Sequence, residues 1–241
     1  VPHAIPLRFD RIRTATAIEP ESLADLASAL AALGLTPSRS VLVLVGGADG
    51  LDPVAERALE GLFRNTLVPL IETLGAAVID GGTDAGIMAL MGQARAGAGA
   101  GFPLLGIAPR AKVCLPGMDW RRTQTKLEPN HDRFLLVPGA DWGAESPWIA
   151  AAAPLVAGTL GRTTLVAGGG QVTRLDVEAA LAAGTPVLLL AGSGGTADTL
   201  ARALADGSAY PSPGRGSLLR RAALQDAGRT LPNLLRGLLA G

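Results

Sequence analysis

Val41-Leu42-Val43-Leu44-Val45-Gly46-Gly47-Ala48-Asp49-Gly50 sets five consecutive apolar residues directly before a glycine-rich turn, and a stretch of helical period opens at Pro53. An apolar run of strand length with no polar alternation belongs to a strand covered on both faces. The unit recurs down the chain. Strands are predicted at Val41–Val45, Ala76–Asp80, Leu104–Ala108, Phe134–Val137, Thr164–Ala167 and Val187–Ala191. Helices are predicted at about Pro53–Leu74, Gly86–Ala96, Pro147–Leu160, Arg174–Ala183 and Thr196–Ala205, with a kink near Leu67 ahead of Pro69. Strand, turn and helix repeated in this order give the α/β class, a Rossmann-like parallel sheet of about six or more strands with helices on both faces.

Outward from this core the signals weaken. Residues 1–18 show no clear period, whereas Leu23, Leu26, Leu30 and Leu33 stand at helical spacing and Gly34 stops the run. After Asp206 comes the Ser/Pro/Gly stretch Ser208–Ser217, then a tail of helical character carrying Arg220, Arg221, Arg229 and Arg236. The expected organisation is one domain over 1–241, with a core at about 41–206, an N-terminal helical extension over 1–40 and a C-terminal helical tail over 207–241. The apolar faces of these terminal helices suit a homo-oligomer. Gly97–Gly101 follows a helix and precedes a strand, the reverse of a dinucleotide fingerprint, and reads as a connection.

Composition narrows the function. Formal net charge is zero, so no global field draws the chain to nucleic acid or to an anionic membrane, and any anion must be held locally. Lys112 and Lys126 are the only lysines among 21 basic residues, a codon signature of a GC-rich bacterial genome. Cys114 is alone and His3 and His131 are the only histidines, which leaves no disulfide and no metal site to expect. Apolar stretches such as Val41–Val45 and Pro186–Ala191 are far shorter than the ~20 residues of a membrane helix. The chain reads as soluble and cytoplasmic.

The chemistry is expected in four turns. A glycine-rich turn that leads from a parallel strand into a helix presents backbone N–H groups and the positive end of the helix dipole to one point, which is an anion site. Gly46–Gly50, Gly81–Gly86, Gly168–Thr173 and Gly192–Asp198 all fit. Gly81-Gly82-Thr83-Asp84-Ala85-Gly86 adds a hydroxyl and a carboxylate, each a ligand contact or a helix cap. Gly168-Gly169-Gly170 is the most specific, because three successive glycines destabilise any regular element, and Thr173 beyond them can cap the next helix, with Asp176 and Glu178 in its first turns. Gly192-Ser193-Gly194-Gly195-Thr196 repeats the arrangement. Together they predict an elongated crevice for a nucleotide-like ligand. The irregular segment Lys112–Asn130, with Trp120, Arg121, Arg122 and Lys126, is a candidate covering loop. His131 reads as either a turn residue or a ligand contact.

Two of these turns resemble the signature pair of the LOG-type phosphoribohydrolases. Gly81–Met88 is similar to Gly-Gly-Gly-x-x-Gly-Leu-Met with Thr83 for the third glycine. Gly168–Asp176 is similar to Pro-Gly-Gly-x-Gly-Thr-x-x-Glu with Gly168 for proline, Val172 for glycine and Asp176 for the family's catalytic glutamate. The closer resemblance is to the LSDAT branch of the SLOG superfamily, the sensor domain of melastatin-type TRP channels and of stand-alone bacterial proteins. It adds Leu105-Gly106-Ile107-Ala108-Pro109 and Leu127–Val137 and runs from about Val41 to Ala205.

The resemblance implies sensing of ADP-ribose or a related NAD metabolite without turnover, no required cofactor, and an effector protein downstream. Its ligand set would be Gly46, Gly47, Gly81, Gly82, Thr83, Asp84, Gly86, Pro109, Asn130, His131, Gly168, Gly169, Gly170, Thr173, Gly192, Ser193, Gly194 and Thr196, with Asn130 and His131 flanking sugar or base. The alternative it implies is N-glycosidic hydrolysis of a nucleoside monophosphate assisted by Asp176 or Glu178.

Overall fold

The computed structural model describes residues 3–48, 50–119, 124–207 and 216–240. Asp49, Trp120, Arg121, Arg122 and most of the Ser208–Ser217 stretch lie outside the described residues. The strands are β1 (Ala4–Arg8), β2 (Thr14–Ile18), β3 (Val41–Gly46), β4 (Ala77–Asp80), β5 (Leu104–Pro109), β6 (Val113–Cys114), β7 (Thr125–Lys126), β8 (Arg133–Val137), β9 (Arg162–Ala167), β10 (Val187–Ala191) and β11 (Leu219–Ala223). The helices are α1 (Leu26–Ala32), α2 (Pro53–Leu62), α3 (Val68–Leu74), α4 (Gly86–Gly97), α5 (Ser146–Ala157), α6 (Gln171–Ala182), α7 (Gly195–Ala205) and α8 (Ala227–Leu239).

Nine of these strands form one sheet in the order β1-β2-β8-β5-β4-β3-β9-β10-β11, parallel throughout except for the antiparallel β1–β2 hairpin. The α/β sheet of about six or more strands read from the sequence is thus present, with nine strands. In β3 the residues alternate between two cores. Val41, Val43 and Val45 pack beneath α1, α5, α6 and α7, whereas Leu42 and Leu44 pack beneath α2, α3, α4 and α8. Both faces of the sheet are therefore covered by helices, as the uninterrupted apolar runs require.

Both extensions differ from the helical expectation. Residues 4–18 form the β1–β2 hairpin, and β2 continues the parallel sheet beside β8. The tail supplies β11 at the opposite edge, so Arg220 and Arg221 stand on a strand and only Arg229 and Arg236 on a helix. A five-residue strand at a sheet edge needs no alternating or continuous apolar run, since one flank meets water. Leu26 and Leu30 of α1 and Leu231, Leu235 and Leu239 of α8 are buried within the chain's own cores, so these faces are already occupied.

The kink before Pro69 takes a specific form. Residues Phe63–Leu67 make a turn of π-helix between α2 and α3. Proline at 69 has no N–H to give and its ring crowds the preceding turn, and the wider winding relieves both.

Candidate functional site

The chain leaves β3 toward one side of the sheet, through β4, β5 and β8, and then crosses back to place β9 on the other side of β3. At such a reversal the connections after the two central strands diverge and open a crevice beyond their carboxyl ends. Here those connections are Gly46-Gly47-Ala48 after β3 and Gly168-Gly169-Gly170 after β9. The crevice between them has a volume of about 390 Å³ and is also lined by Gly81, Thr83, Thr125, Trp142, Glu145, Gln171 to Thr173 and Asp176.

α6 opens directly onto this space. Its N-cap is Gly170, no side chain caps it, and its first intrahelical bond runs from Arg174 N to Gly170 O. The N–H groups of the first turn have no partner within the helix and carry the positive end of its dipole. Thr173, expected as a cap, lies at the third helical position and is buried.

The turn after β4 is held differently. Gly86, at φ +47°, opens α4 so close to the preceding turn that a Cβ there would come within 1.9 Å of the Gly47 carbonyl oxygen. The same carbonyl accepts the Ile87 N–H at 3.1 Å, which locks the two glycine turns together. Gly82 packs against Gly106 and the Phe134 ring, where a Cβ would stand 2.7 Å from the Gly106 Cα. Neither Thr83 nor Asp84 caps α4. Thr83 is buried and bridges to Leu127, and Asp84 N donates to Lys126 O at 2.8 Å. Burial, and after it the charge of Glu128, raises the Asp84 carboxyl.

Of the ligand set expected from the sequence, Gly46, Gly47, Gly81, Thr83, Gly170 and Thr173 line the crevice. The others are not among its lining residues. The turn after β10 does not extend the crevice but props the turn after β9. Ser193, buried, takes the Gly168 N–H on its hydroxyl at 2.8 Å and donates to Leu190 O at 2.5 Å. Thr196 N donates to Gly169 O and Thr196 Oγ1 to Gly170 O, each at 2.8 Å, while Gly192 N donates to Asp198 and Gly194 is the N-cap of α7. Pro109 is buried at the end of β5 in register with Val137.

Asn130 and His131 are not at the crevice either. Both belong to a network around the buried His131, in which Nε2 lies 2.8 Å from Asp80 Oδ1 and Nδ1 lies 2.8 Å from Glu128 Oε2, with Asn130 half-buried at its edge. Asn130 gives its backbone N–H to Glu128 at 2.8 Å and its side-chain amide at 2.5 Å. Burial pushes the His131 imidazole down, but the Asp80 charge and the hydrogen bonds the ring donates to both carboxylates override it and hold its pKa at about 9.

The two acids expected beyond the glycines separate. Glu178 pairs with Arg174 at 3.1 Å and is not part of the lining, whereas Asp176, in the second turn of α6, lines the crevice. Burial raises Asp176 to about 7, against the hydrogen bond from Ser146 and with the charge of Glu145 adding to the rise. Burial raises Glu145 too. Among the described residues the lining contains no Arg, Lys or His; its only ionisable side chains are these two carboxyls, and the first-turn N–H groups of α6 supply its positive potential.

Trp142, Glu145 and Ser146 lie in a connection without the run of glycines that marks the other strand-to-helix turns. The connection after β8 ends at the same carboxyl edge and supplies an aromatic and an acid instead. An acid one residue before a Ser-Pro helix start was the available signal.

The chain matches the family described as SLOG in TRPM, prokaryote, over residues 39–227. It is 28% identical over 235 residues to transient receptor potential cation channel subfamily M member 4 of Rattus norvegicus, an alignment that takes in 83% of this chain and 19% of the channel's length. Solved structures that share the fold include two named for the molybdenum cofactor. The molybdenum cofactor binding protein of Rippkaea orientalis superposes with a TM-score of 0.55 at 15% identity, covering 82% of this chain and 98% of its own. The molybdenum cofactor carrier protein of Chlamydomonas reinhardtii gives 0.53 at 20% identity, covering 82% and 99%. Given the extent of the family match, this chain belongs to the prokaryotic SLOG family of the TRPM type.

Proposed function

We propose that the crevice binds a nucleotide-derived ligand of the ADP-ribose class, with its phosphate groups against the first turn of α6 and the Gly46–Ala48 turn. The observation that carries this reading is the position of an uncapped helix N-terminus at the point where the sheet order reverses. Phosphate oxygens accept from those N–H groups without needing a cationic side chain. The sugar hydroxyls are donors, and they suit the acceptor-rich side formed by Asp176 and Glu145. The Trp142 ring offers a face for the base.

Calorimetry with ADP-ribose, AMP, ADP and NAD tests it. Saturable heat with at least one of them, reduced by Gly170→Pro, is the expected result, and silence across the panel contradicts the reading. The molybdenum cofactor, for which the two structural relatives are named, joins the panel as a competing ligand.

One observation favours hydrolysis as the second reading. Asp176 faces the crevice with a pKa of about 7, in the range a general acid needs near neutral pH. Release of free base from AMP, lost in Asp176→Asn, supports turnover, and binding without release supports sensing.

A further inference from the structure

We propose that His131 is a positioning residue: held between Asp80 and Glu128, it fastens the segment from Thr125 to Asn130 to the Gly81–Thr83 wall of the crevice, and its charge sets the shape of the site without touching what binds there. Asp80 ends β4 and is buried; its Oδ1 accepts the Gly82 N–H at 2.7 Å as well as the ring at 2.8 Å. Glu128, also buried, donates its own N–H to Gly82 O at 2.9 Å and holds the ring from the other side. The segment is then laid along the wall by Asp84 N to Lys126 O and by the bridge between Thr83 and Leu127, which brings Thr125 into the crevice lining.

The chemistry of the pair makes the arrangement depend on a proton. Ionised carboxylates only accept hydrogen bonds, so both ring nitrogens meet them favourably only when both carry hydrogen. A neutral imidazole has one donor and one lone pair, and the lone pair would face a carboxylate oxygen. One of the two acids must then let go. Asp80 releases the Gly81–Thr83 turn, or Glu128 releases the segment that carries Thr125.

The surroundings leave little else to respond. Phe134 stacks on the imidazole at 5.5 Å between centroids, and Glu128 fills the space beside Gly92 of α4, where a Cβ would come within 2.1 Å of its carboxylate. Around the network, Asp84 feels the charges of Glu128, Lys126 and Arg13, and Arg95 donates to Asn130 O at 3.0 Å and lies 3.6 Å from Asp132. Asp80 Oδ2 is buried with no hydrogen-bond partner among the described residues. A network with an unpaired acceptor stabilises the fold poorly compared with an apolar filling of the same volume, which points to a role in setting geometry.

The test is a nuclear magnetic resonance titration of the ligand-free chain from pH 6 to 10, in which His3 is the only other histidine. His131 should keep both ring protons at neutral pH, and the amides of Gly82, Thr83 and Thr125 should move with its deprotonation at a common midpoint near pH 9 while those of Leu188 and Leu189 in β10 stay still. In His131→Gln the same amides should sit at their high-pH positions throughout. Titration of His131 near 6.5, crevice amides that ignore it, or collapse of the whole spectrum at the midpoint would each overturn the proposal. If His131→Gln does not fold, the wild-type titration decides. No ligand enters this experiment, so its failure and the failure of the proposed function are separate outcomes.

Discussion

Ser146, the first residue of α5, donates its hydroxyl to Asp176 Oδ1 on α6 at 2.5 Å and so ties together two helices that border the crevice. The bond tempers the cost of putting a carboxyl there but does not cancel it. Burial remains the larger effect and holds Asp176 at about 7 against an ordinary 3.8.

Because the folded-state pKa is raised, the contribution of Asp176 to stability is fully present below pH 3.8 and is lost as pH rises through about 7. Asp176→Asn keeps an acceptor for Ser146 and removes the charge. It should be more stable than the wild type by about 1–3 kcal/mol at pH 8, a gain that vanishes near pH 4. Urea unfolding at the two pH values checks this; an equal effect at both would mean that Asp176 is not desolvated.

His131 produces the second pH window. Its pKa is raised from 6.5 to about 9, so its contribution is complete below pH 6.5 and disappears as pH climbs through about 9. The wild type should lose roughly 3 kcal/mol over that interval, and His131→Gln should begin lower and lose much less. Thermal unfolding of both proteins at pH 6.5 and 9.5 measures the difference.

Gly86 and Gly97 open and close the same helix under opposite constraints. Gly86→Ala forces a Cβ into the Gly47 carbonyl at positive φ and should cost about 2–4 kcal/mol, with the crevice turns displaced. Gly97 has open space around its Cβ direction, and Gly97→Ala should be neutral or stabilising by up to about 1 kcal/mol. Similar losses for both would show that α4 does not rest on the Gly47 turn as described.

Gln171→Glu separates stability from binding. A carboxylate in the first turn of α6 should raise helix stability by about 0.3–1 kcal/mol through the dipole while repelling a bound phosphate, weakening affinity by tenfold or more at an order-of-magnitude level. Parallel denaturation and calorimetry would reveal the split; unchanged affinity would move the phosphates away from α6.

The fold was largely legible because its signal is carried by continuous apolar runs. β3, β5 and β10 announce themselves in this way. β1, β2 and β11 were not visible, since Thr14-Ala15-Thr16-Ala17-Ile18 and Leu219-Arg220-Arg221-Ala222-Ala223 acquire strand character only from the neighbours they pair with.

Runs of glycine mark two of the turns that line the crevice, but glycine has two uses. In Gly47 and Gly170 it leaves backbone open to the crevice, whereas in Gly82 and Gly86 it lets one segment press on another. A sequence does not distinguish these. Nor did it show that His131 faces inward, because the two carboxylates that hold it come from different parts of the chain, 51 residues away at Asp80 and 3 at Glu128.

The most direct test of the crevice itself is a backbone amide shift map during titration with ADP-ribose. If the crevice binds ADP-ribose, saturable shifts should centre on Gly46 to Ala48, Gly81, Thr83 and Gly170 to Thr173, with the Gly192–Gly194 turn responding only weakly. Saturable shifts centred elsewhere, or none with ADP-ribose and the other nucleotides of the panel, would contradict it.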